Sequence, residues 1–248
     1  MHSRTQMTGN EQPPWLTLYC LPHAGGGAAG YVRWRRSVPA GVEVVPMELP
    51  GHGSRLVERP VDQMGPLVDQ LLTRIRADDR RGVALLGHSF GALLAFETAR
   101  RLAALGAPPE ALLLCGRNAP TTPSPVVVPH HLPDEAFLAA VQRLGGIPDQ
   151  LRDQPALLRA YLPALRADLR MADGYRRGDA PPLAVPLLVF GGSEDTLTHR
   201  AGLAGWERET TSSFELTMLA GDHFFVRTDA FAGVLRTRLE RLMTSARP

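Results

Sequence analysis

A short apolar run, Val83-Ala84-Leu85-Leu86, ends in Gly87-His88-Ser89-Phe90-Gly91 and passes without interruption into the small-residue stretch at 92–97. That order asks for a strand, a turn tight enough to present one side chain, and a helix that starts at once. A serine at the apex of such a turn takes up a strained backbone conformation. Glycine is needed at 87 and 91, because a side chain at either position collides with the neighbouring strand or helix. The turn also places Ser89 at a helix N-terminus, where unpaired backbone N–H groups can face a developing oxyanion. Ser89 is the candidate nucleophile.

The segments around this turn repeat one rhythm. Residues 15–21 and 42–49 read as strands and residues 31–38 as a short helix. Residues 64–77 read as a longer helix, with Leu67, Leu71, Leu72 and Ile75 at helical spacing. After the Ser89 helix, which runs to about Leu105, residues 111–116 supply another buried strand. A β-α-β-α-β-α order predicts a mostly parallel central sheet with helices on both faces.

The rhythm stops between Asn118 and Pro182. A Pro-rich run at 121–129 leads into helical segments at 134–144 and 157–175, with Asp134 as the expected N-cap. Helices inserted between two sheet strands form a lid candidate over about residues 118–182. The sheet resumes at 185–190, turns at Gly191-Gly192, and adds a last strand at 214–219 before a closing helix at about 229–243. The expected organisation is a disordered tail at 1–14 and one domain from 15 to 248.

Composition excludes several classes. With 248 residues, 44% of them hydrophobic, the chain can bury one sizeable core. The net charge is only +2, the chain has arginine but no lysine, and no basic run is interleaved with aromatics, so nucleic acid is not an expected partner. No run approaches the roughly 18 apolar residues of a membrane span, and no apolar segment opens the chain, so a cytoplasmic monomer away from membranes is expected. Cys20 and Cys115 both fall in apolar strands and read as reduced core thiols.

The loop after the first strand, Pro22 to Gly30, contains Gly25-x-Gly27-x-x-Gly30, and Glu48 follows at the end of the next strand. This is formally the dinucleotide-binding fingerprint, with Glu48 where a ribose-binding acid would stand. A second reading is that the glycines bring backbone N–H groups close to a reacting carbonyl. Both need close backbone approach, so the loop alone does not decide.

Two later turns decide more. Asp195 and His223 both fall just beyond the carboxyl ends of strands, where open α/β sheets place their sites. A serine hydroxyl needs a positioned imidazole to take its proton, and the imidazole needs a carboxylate to fix its tautomer. The other candidates are weaker. His88 diverges from its neighbour on a tight elbow and reads as packing, and His23 could help position the site. Glu194 and Asp222 read as exposed or capping, and His52 as a loop residue. His130, His131 and His199 have no motif around them.

The order Ser89, Asp195, His223 is that of the α/β-hydrolases. Within them the chain resembles the type II (editing) thioesterases of polyketide and nonribosomal peptide assembly lines. The resembling pieces are Leu21-Pro22-His23-Ala24-Gly25-Gly26, Gly87-His88-Ser89-Phe90-Gly91, Leu144-Gly145-Gly146-Ile147-Pro148, Leu162-Pro163-x-Leu165-Arg166-Ala167-Asp168, Gly191-Gly192-x-x-Asp195 and Gly221-Asp222-His223-Phe224-Phe225. They cover nearly the whole chain.

The resemblance implies an α/β-hydrolase that removes acyl groups from the phosphopantetheine arm of acyl or peptidyl carrier proteins, with no metal and no cofactor of its own. Ser89 would form an acyl-enzyme, His223 act as base and then acid, Asp195 orient it, and the backbone N–H groups of Ala24 and Phe90 hold the oxyanion. A generic carboxylesterase or lipase would share the triad, and a non-catalytic carrier-binding module is a third reading. The chain departs from the family pattern in two places. Phe90 follows the serine where Met is common, and Gly51-His52-Gly53 stands where Gly-Arg-Glu is frequent.

Overall fold

Strand residues alternate between two apolar faces, and each face needs a layer of helix to cover it. The computed structural model of the chain describes residues 14–78, 80, 82–127, 130–146 and 154–245. Positions 1–13 of the expected tail, Val128 and Pro129 of the Pro-rich run, and Ile147-Pro148 lie outside them.

Six strands pair in parallel throughout, in the order β2-β1-β3-β4-β5-β6. They are β1 Leu16–Leu21, β2 Val42–Pro46, β3 Val83–His88, β4 Ala111–Cys115, β5 Leu187–Gly192 and β6 Phe214–Leu219. The helices are α1 Met64–Ala77, α2 Phe90–Ala104, α3 Asp134–Arg143, α4 Pro155–Gly174, α5 Arg200–Ala204 and α6 Asp229–Ser245.

Alternation along each strand divides the core in two. Tyr19, Leu85, Leu112, Leu114 and Val189 face α1 and α2, where Leu67, Leu71 and Phe96 meet them. Leu18, Leu86, Leu113 and Phe190 face the other way, onto Phe231, Leu235 and Leu239 of α6 and onto Tyr31 and Trp34. The last two belong to a 3-10 helix, Ala28–Arg36, which replaces the expected helix at 31–38. Cys20 and Cys115 are buried free thiols on this second face. A small third core, including Phe137, Val141, Tyr161 and Leu165, joins α3 to α4.

Three boundaries differ from the sequence reading in ways that shape the site. β2 stops at Pro46, which frees Glu48 to turn toward the glycine loop. β5 runs on through Gly191 and Gly192, paired with Met218 and Leu219, rather than turning there. A Cβ on Gly192 would lie 2.4 Å from the carbonyl oxygens of Gly221 and Asp222, so the bare backbone lets the turns after β5 and β6 close on each other. The cap of α3 is Pro133, and Asp134 is the first helical residue, its carboxylate accepting from Arg166 at 2.7 Å.

The strand order reverses between β1 and β3. A crevice opens at the carboxyl ends of strands on either side of such a switch point. The loop after β1 and Ser89 after β3 both lie there.

Phe231 tests this packing, because it is fully buried and its ring centroid lies 5.4 Å from Trp34, 5.5 Å from Phe190 and 5.7 Å from Phe225. Phe231→Ala is expected to lower unfolding free energy by about 3–5 kcal/mol. Val57→Ala, at a side chain 98% exposed, should stay within about 0.5 kcal/mol of the parent. Urea titration of both variants checks the contrast.

Candidate active site

Ser89 caps α2 with φ 57° and ψ −114°, and among the described residues it is the sole non-glycine with positive φ. Such a conformation costs of order 1–3 kcal/mol and persists only where the surroundings enforce it. Here they do. A Cβ on Gly87 would stand 2.0 Å from the Gly91 carbonyl oxygen, and one on Gly91 would stand 2.2 Å from that of Leu21. The Ser89 N–H donates to the Cys115 carbonyl at 2.8 Å, tying the elbow to the end of β4.

Asp195 and His223 meet across the gap that Gly192 leaves. His223 Nδ1 lies 2.9 Å from Asp195 Oδ2. The Leu197 N–H donates to Oδ1 and the Thr198 hydroxyl to Oδ2, each at 2.8 Å. Burial pushes the Asp195 carboxyl up, but the hydrogen bond and charge of His223 and the two further donors outweigh it and hold Asp195 below the ordinary carboxylate value. Facing an acceptor, Nδ1 carries the proton, which leaves Nε2 as the basic nitrogen.

Ser89, His223, Ala24 and Phe90 line one cavity of about 70 Å³. The N–H groups of Ala24 and Phe90 make no hydrogen bond to the described residues, whereas those of Gly25, Gly26 and Ser89 are all engaged. Leu144, which caps the C-terminus of α3, and Leu169 and Asp173 of α4 line the cavity wall. Arg117 and Asn118 also line it, so part of the wall is polar. Burial lowers the pKa of Arg117 and raises that of Asp173, and Asn118 Nδ2 is buried without a partner among the described residues.

The remaining histidines divide by environment. His88 is buried, and its Nε2 donates to the His223 carbonyl at 2.8 Å, so it steadies the backbone at His223 as well as packing. Burial, reinforced by the positive groups around it, holds His88 well below the ordinary imidazole value. Burial likewise lowers His23, with Arg227, His223 and His52 adding to the effect. The Phe224 ring stands edge-on to His23 and His223, and Gly145, at φ +72°, lies against that ring. Glu194 is exposed, Asp222 accepts from the Phe224 N–H at 2.8 Å, and His199 accepts from the Gly202 N–H at 3.0 Å.

His52 is the residue that sequence reasoning missed. It stands in the loop after β2, as expected, but is buried there: Nδ1 lies 3.0 Å from the Pro50 carbonyl and Nε2 lies 2.9 Å from Asp168 Oδ2. Both neighbours accept, so both nitrogens donate and the ring is an imidazolium. Burial alone would lower its pKa, but the Asp168 hydrogen bond and charge, the Pro50 carbonyl and Glu48 together raise it. Asp168 Oδ2 also accepts the Gly25 N–H at 2.8 Å. The partner lies in the stretch Leu162 to Asp168, and no local pattern links it to His52.

Gly25, Gly26 and Gly27 of the loop after β1 are packed against the protein's own side chains. Glu48 accepts from the Ala28 N–H at 2.9 Å and from the Ser54 N–H at 3.2 Å. A Cβ on Gly27 would lie 2.8 Å from that carboxylate, and one on Gly25 would lie 1.9 Å from the Tyr161 hydroxyl of α4. The space a pyrophosphate would need is filled by α4, and the acid that would take a ribose holds backbone instead. Among the described residues no cluster of His, Cys, Asp and Glu could hold a metal, and no helix is long and apolar enough to cross a membrane.

Comparison with known proteins gives the family of the chain. Residues 16–242 match the family model described as "Thioesterase domain". Linear gramicidin dehydrogenase LgrE of Brevibacillus parabrevis is 34% identical over 218 residues, covering 86% of this chain and 83% of its own. Thioesterase PikA5 of Streptomyces venezuelae is 35% identical over 213 residues, covering 85% and 75%. The structure of RedJ, a thioesterase from the prodiginine biosynthetic pathway of Streptomyces coelicolor, superposes with a TM-score of 0.83 at 34% identity, covering 96% of this chain and 91% of RedJ.

The His52–Asp168 pair predicts a pH signature. A base whose folded pKa is raised contributes stability that is fully present below its unfolded value, about 6.5, and lost as pH rises through the folded value. The charged or titratable groups facing His52 are Asp168 from α4, Glu48 after β2 and His23 after β1. The stability gap between the parent and His52→Gln is therefore expected to be widest near pH 5.5 and to narrow toward pH 9. Urea midpoints across that range measure it.

Proposed function

The chain belongs to the thioesterase family of α/β-hydrolases, and from that premise we propose that it clears acyl groups from the phosphopantetheine arm of carrier proteins through a Ser89–His223–Asp195 triad. The observation that carries this reading is the 2.9 Å contact of His223 with Asp195 beside a cavity that Ser89 also lines. The rest of the domain, residues 15–248, serves to hold these three strand ends together, with α3 and α4 as a lid over about 118–182.

His223 Nε2 takes the Ser89 hydroxyl proton as the oxygen attacks the thioester carbonyl carbon. Negative charge develops on the carbonyl oxygen, which the Ala24 and Phe90 N–H groups receive. Collapse breaks the carbon–sulfur bond, and the imidazolium gives its proton to the departing pantetheine sulfur. Water then attacks the acyl-enzyme, His223 takes its proton, and the released acid leaves Ser89 protonated again. Asp195 stays ionised throughout, orienting Nδ1–H and stabilising the imidazolium. His23 and His88, both held neutral by burial, add no competing charge. The cavity of about 70 Å³ suits a short acyl chain.

Ser89→Ala is expected to lower kcat on a short acyl thioester by at least about 10³-fold, and Asp195→Asn by about 10⁴-fold. Wild-type turnover by Ser89→Ala would rule the triad out and leave a binding module. Rates on acyl-carrier protein, acyl-CoA and a p-nitrophenyl ester separate a carrier-directed enzyme from a generic esterase, which would show equal kcat/KM on all three.

Carrier proteins are acidic around the pantetheine attachment site, and Arg33, Arg35 and Arg36 are exposed on the 3-10 helix that follows the glycine loop. Arg33 donates to the Arg227 carbonyl, and the Arg227 guanidinium lies 4.0 Å from the centre of the Phe224 ring beside His223. Rim charges mainly speed encounter and weaken as salt rises, because screening acts over about 8–10 Å at ordinary ionic strength. Replacing the three arginines by alanine is expected to lower kcat/KM for the carrier substrate alone, most at low salt. A salt series with acyl-carrier protein and a small acyl thioester tests it, and an equal fall for both would remove these residues from docking.

A further inference from the structure

No chemical step above uses Asp168, yet Asp168 is where α4 meets the backbone that carries Ala24. The carboxylate is 2% exposed and lies 143 residues from Gly25 along the chain. Its Oδ2 accepts both the Gly25 N–H at 2.8 Å and His52 Nε2–H at 2.9 Å.

Two peptide planes flank the Cα of Ala24, and each is held by one hydrogen bond. The plane joining Ala24 to Gly25 carries the N–H that Asp168 accepts. The plane joining His23 to Ala24 carries the His23 carbonyl, which accepts the Gly26 N–H at 2.8 Å, and it also carries the Ala24 N–H itself. With both planes fixed, the direction of the Ala24 N–H is fixed. Gly25 sits at φ +71°, and a side chain there would meet both Tyr161 and Leu165, so α4 presses directly on this turn. His52, donating to Pro50 on its far side, keeps the Asp168 carboxylate from swinging away.

We propose that Asp168 is a positioning residue for the oxyanion donor: by accepting the Gly25 N–H it aims the Ala24 N–H into the Ser89 cavity, so the hole is complete only while α4 is docked. This rests on the reading of Ala24 as a donor in a Ser89 hydrolase. Helix α4 then has two tasks, bounding the acyl cavity and assembling part of the catalytic backbone. A lid displaced to admit the pantetheine arm would loosen the hole until it redocked.

The test uses Asp168→Leu and Asp168→Asn in the full chain, with active sites counted by a fluorophosphonate that labels Ser89. Kinetics on a short acyl thioester give kcat and KM, and a trifluoromethyl ketone, whose adduct places an oxyanion in the hole, gives Ki. Removing an oxyanion donor outright lowers kcat by about 10²–10³-fold, so misdirecting one should lower it by roughly 10–100-fold in Asp168→Leu. KM should stay within about twofold while Ki rises in step with the loss of kcat/KM. Asp168→Asn, with its amide oxygen in the place of Oδ2, keeps an acceptor for both the Gly25 N–H and His52 Nε2–H, so it should recover to within about fivefold of the parent.

If Asp168→Leu gives no folded protein, Asp168→Ser, too short to reach Gly25, takes its place. Parental kcat in the truncated variant, whatever its melting temperature, would overturn the proposal and leave Asp168 a structural anchor. So would Asp168→Asn falling as far as Asp168→Leu. A parent protein without thioester hydrolysis would instead overturn the functional reading beneath it.

Discussion

The backbone at Ser89 takes a conformation that a serine would not choose, and the arrangement of the sheet follows from keeping it there. The elbow is enforced by contacts too close for any side chain, Gly87 against Gly91 and Gly91 against Leu21. Those contacts require β1, β3 and the start of α2 to stand at one spacing, and the Ser89 N–H bond to Cys115 adds β4. Strain of order 1–3 kcal/mol is small beside the apolar surface that these fully buried strands remove from water. Ser89 is therefore held by the core rather than by its own loop.

The same residue types titrate in opposite directions according to what surrounds them. Asp195 is held below its ordinary value because a histidine and two other donors face it, while burial raises Asp173 despite Arg117 nearby. His52 is raised by the carboxylate against it, whereas His23 and His88, buried among rings and positive groups, are lowered. Two neutral imidazoles beside His223 and a charged one behind the glycine loop give each histidine a separate part.

Two acids pin the ends of the loop after β1. Glu48 holds Ala28 from below and Asp168 holds Gly25 from α4. This accounts for Gly27 of the run that mimics a dinucleotide fingerprint, where a Cβ would lie 2.8 Å from Glu48, and for the departure at Gly51-His52-Gly53. A Cβ on Gly53 would lie 2.2 Å from the Glu48 carboxylate, so the residue there is glycine, and His52 is the cation that Asp168 accepts. Two changes that looked unrelated along the chain serve the two acids of one loop.

The parallel αβ rhythm, the elbow and the order of Ser89, Asp195 and His223 are legible along the chain, because strand alternation, helical spacing and tight-turn glycines are local consequences of backbone geometry. The β6 bounds, and those of α1, were readable for the same reason. The extension of β5 through Gly192 was not, since a Gly-Gly pair reads as a turn until the approach of Gly221 and Asp222 is seen. Nor was His52, whose partner is 116 residues away. Only the tertiary structure decided that Asp168 meets Gly25 and that Glu48 holds backbone instead of a ligand. Such contacts depend on which side chains the strand order brings to one end of the sheet, and no periodicity along the chain records that.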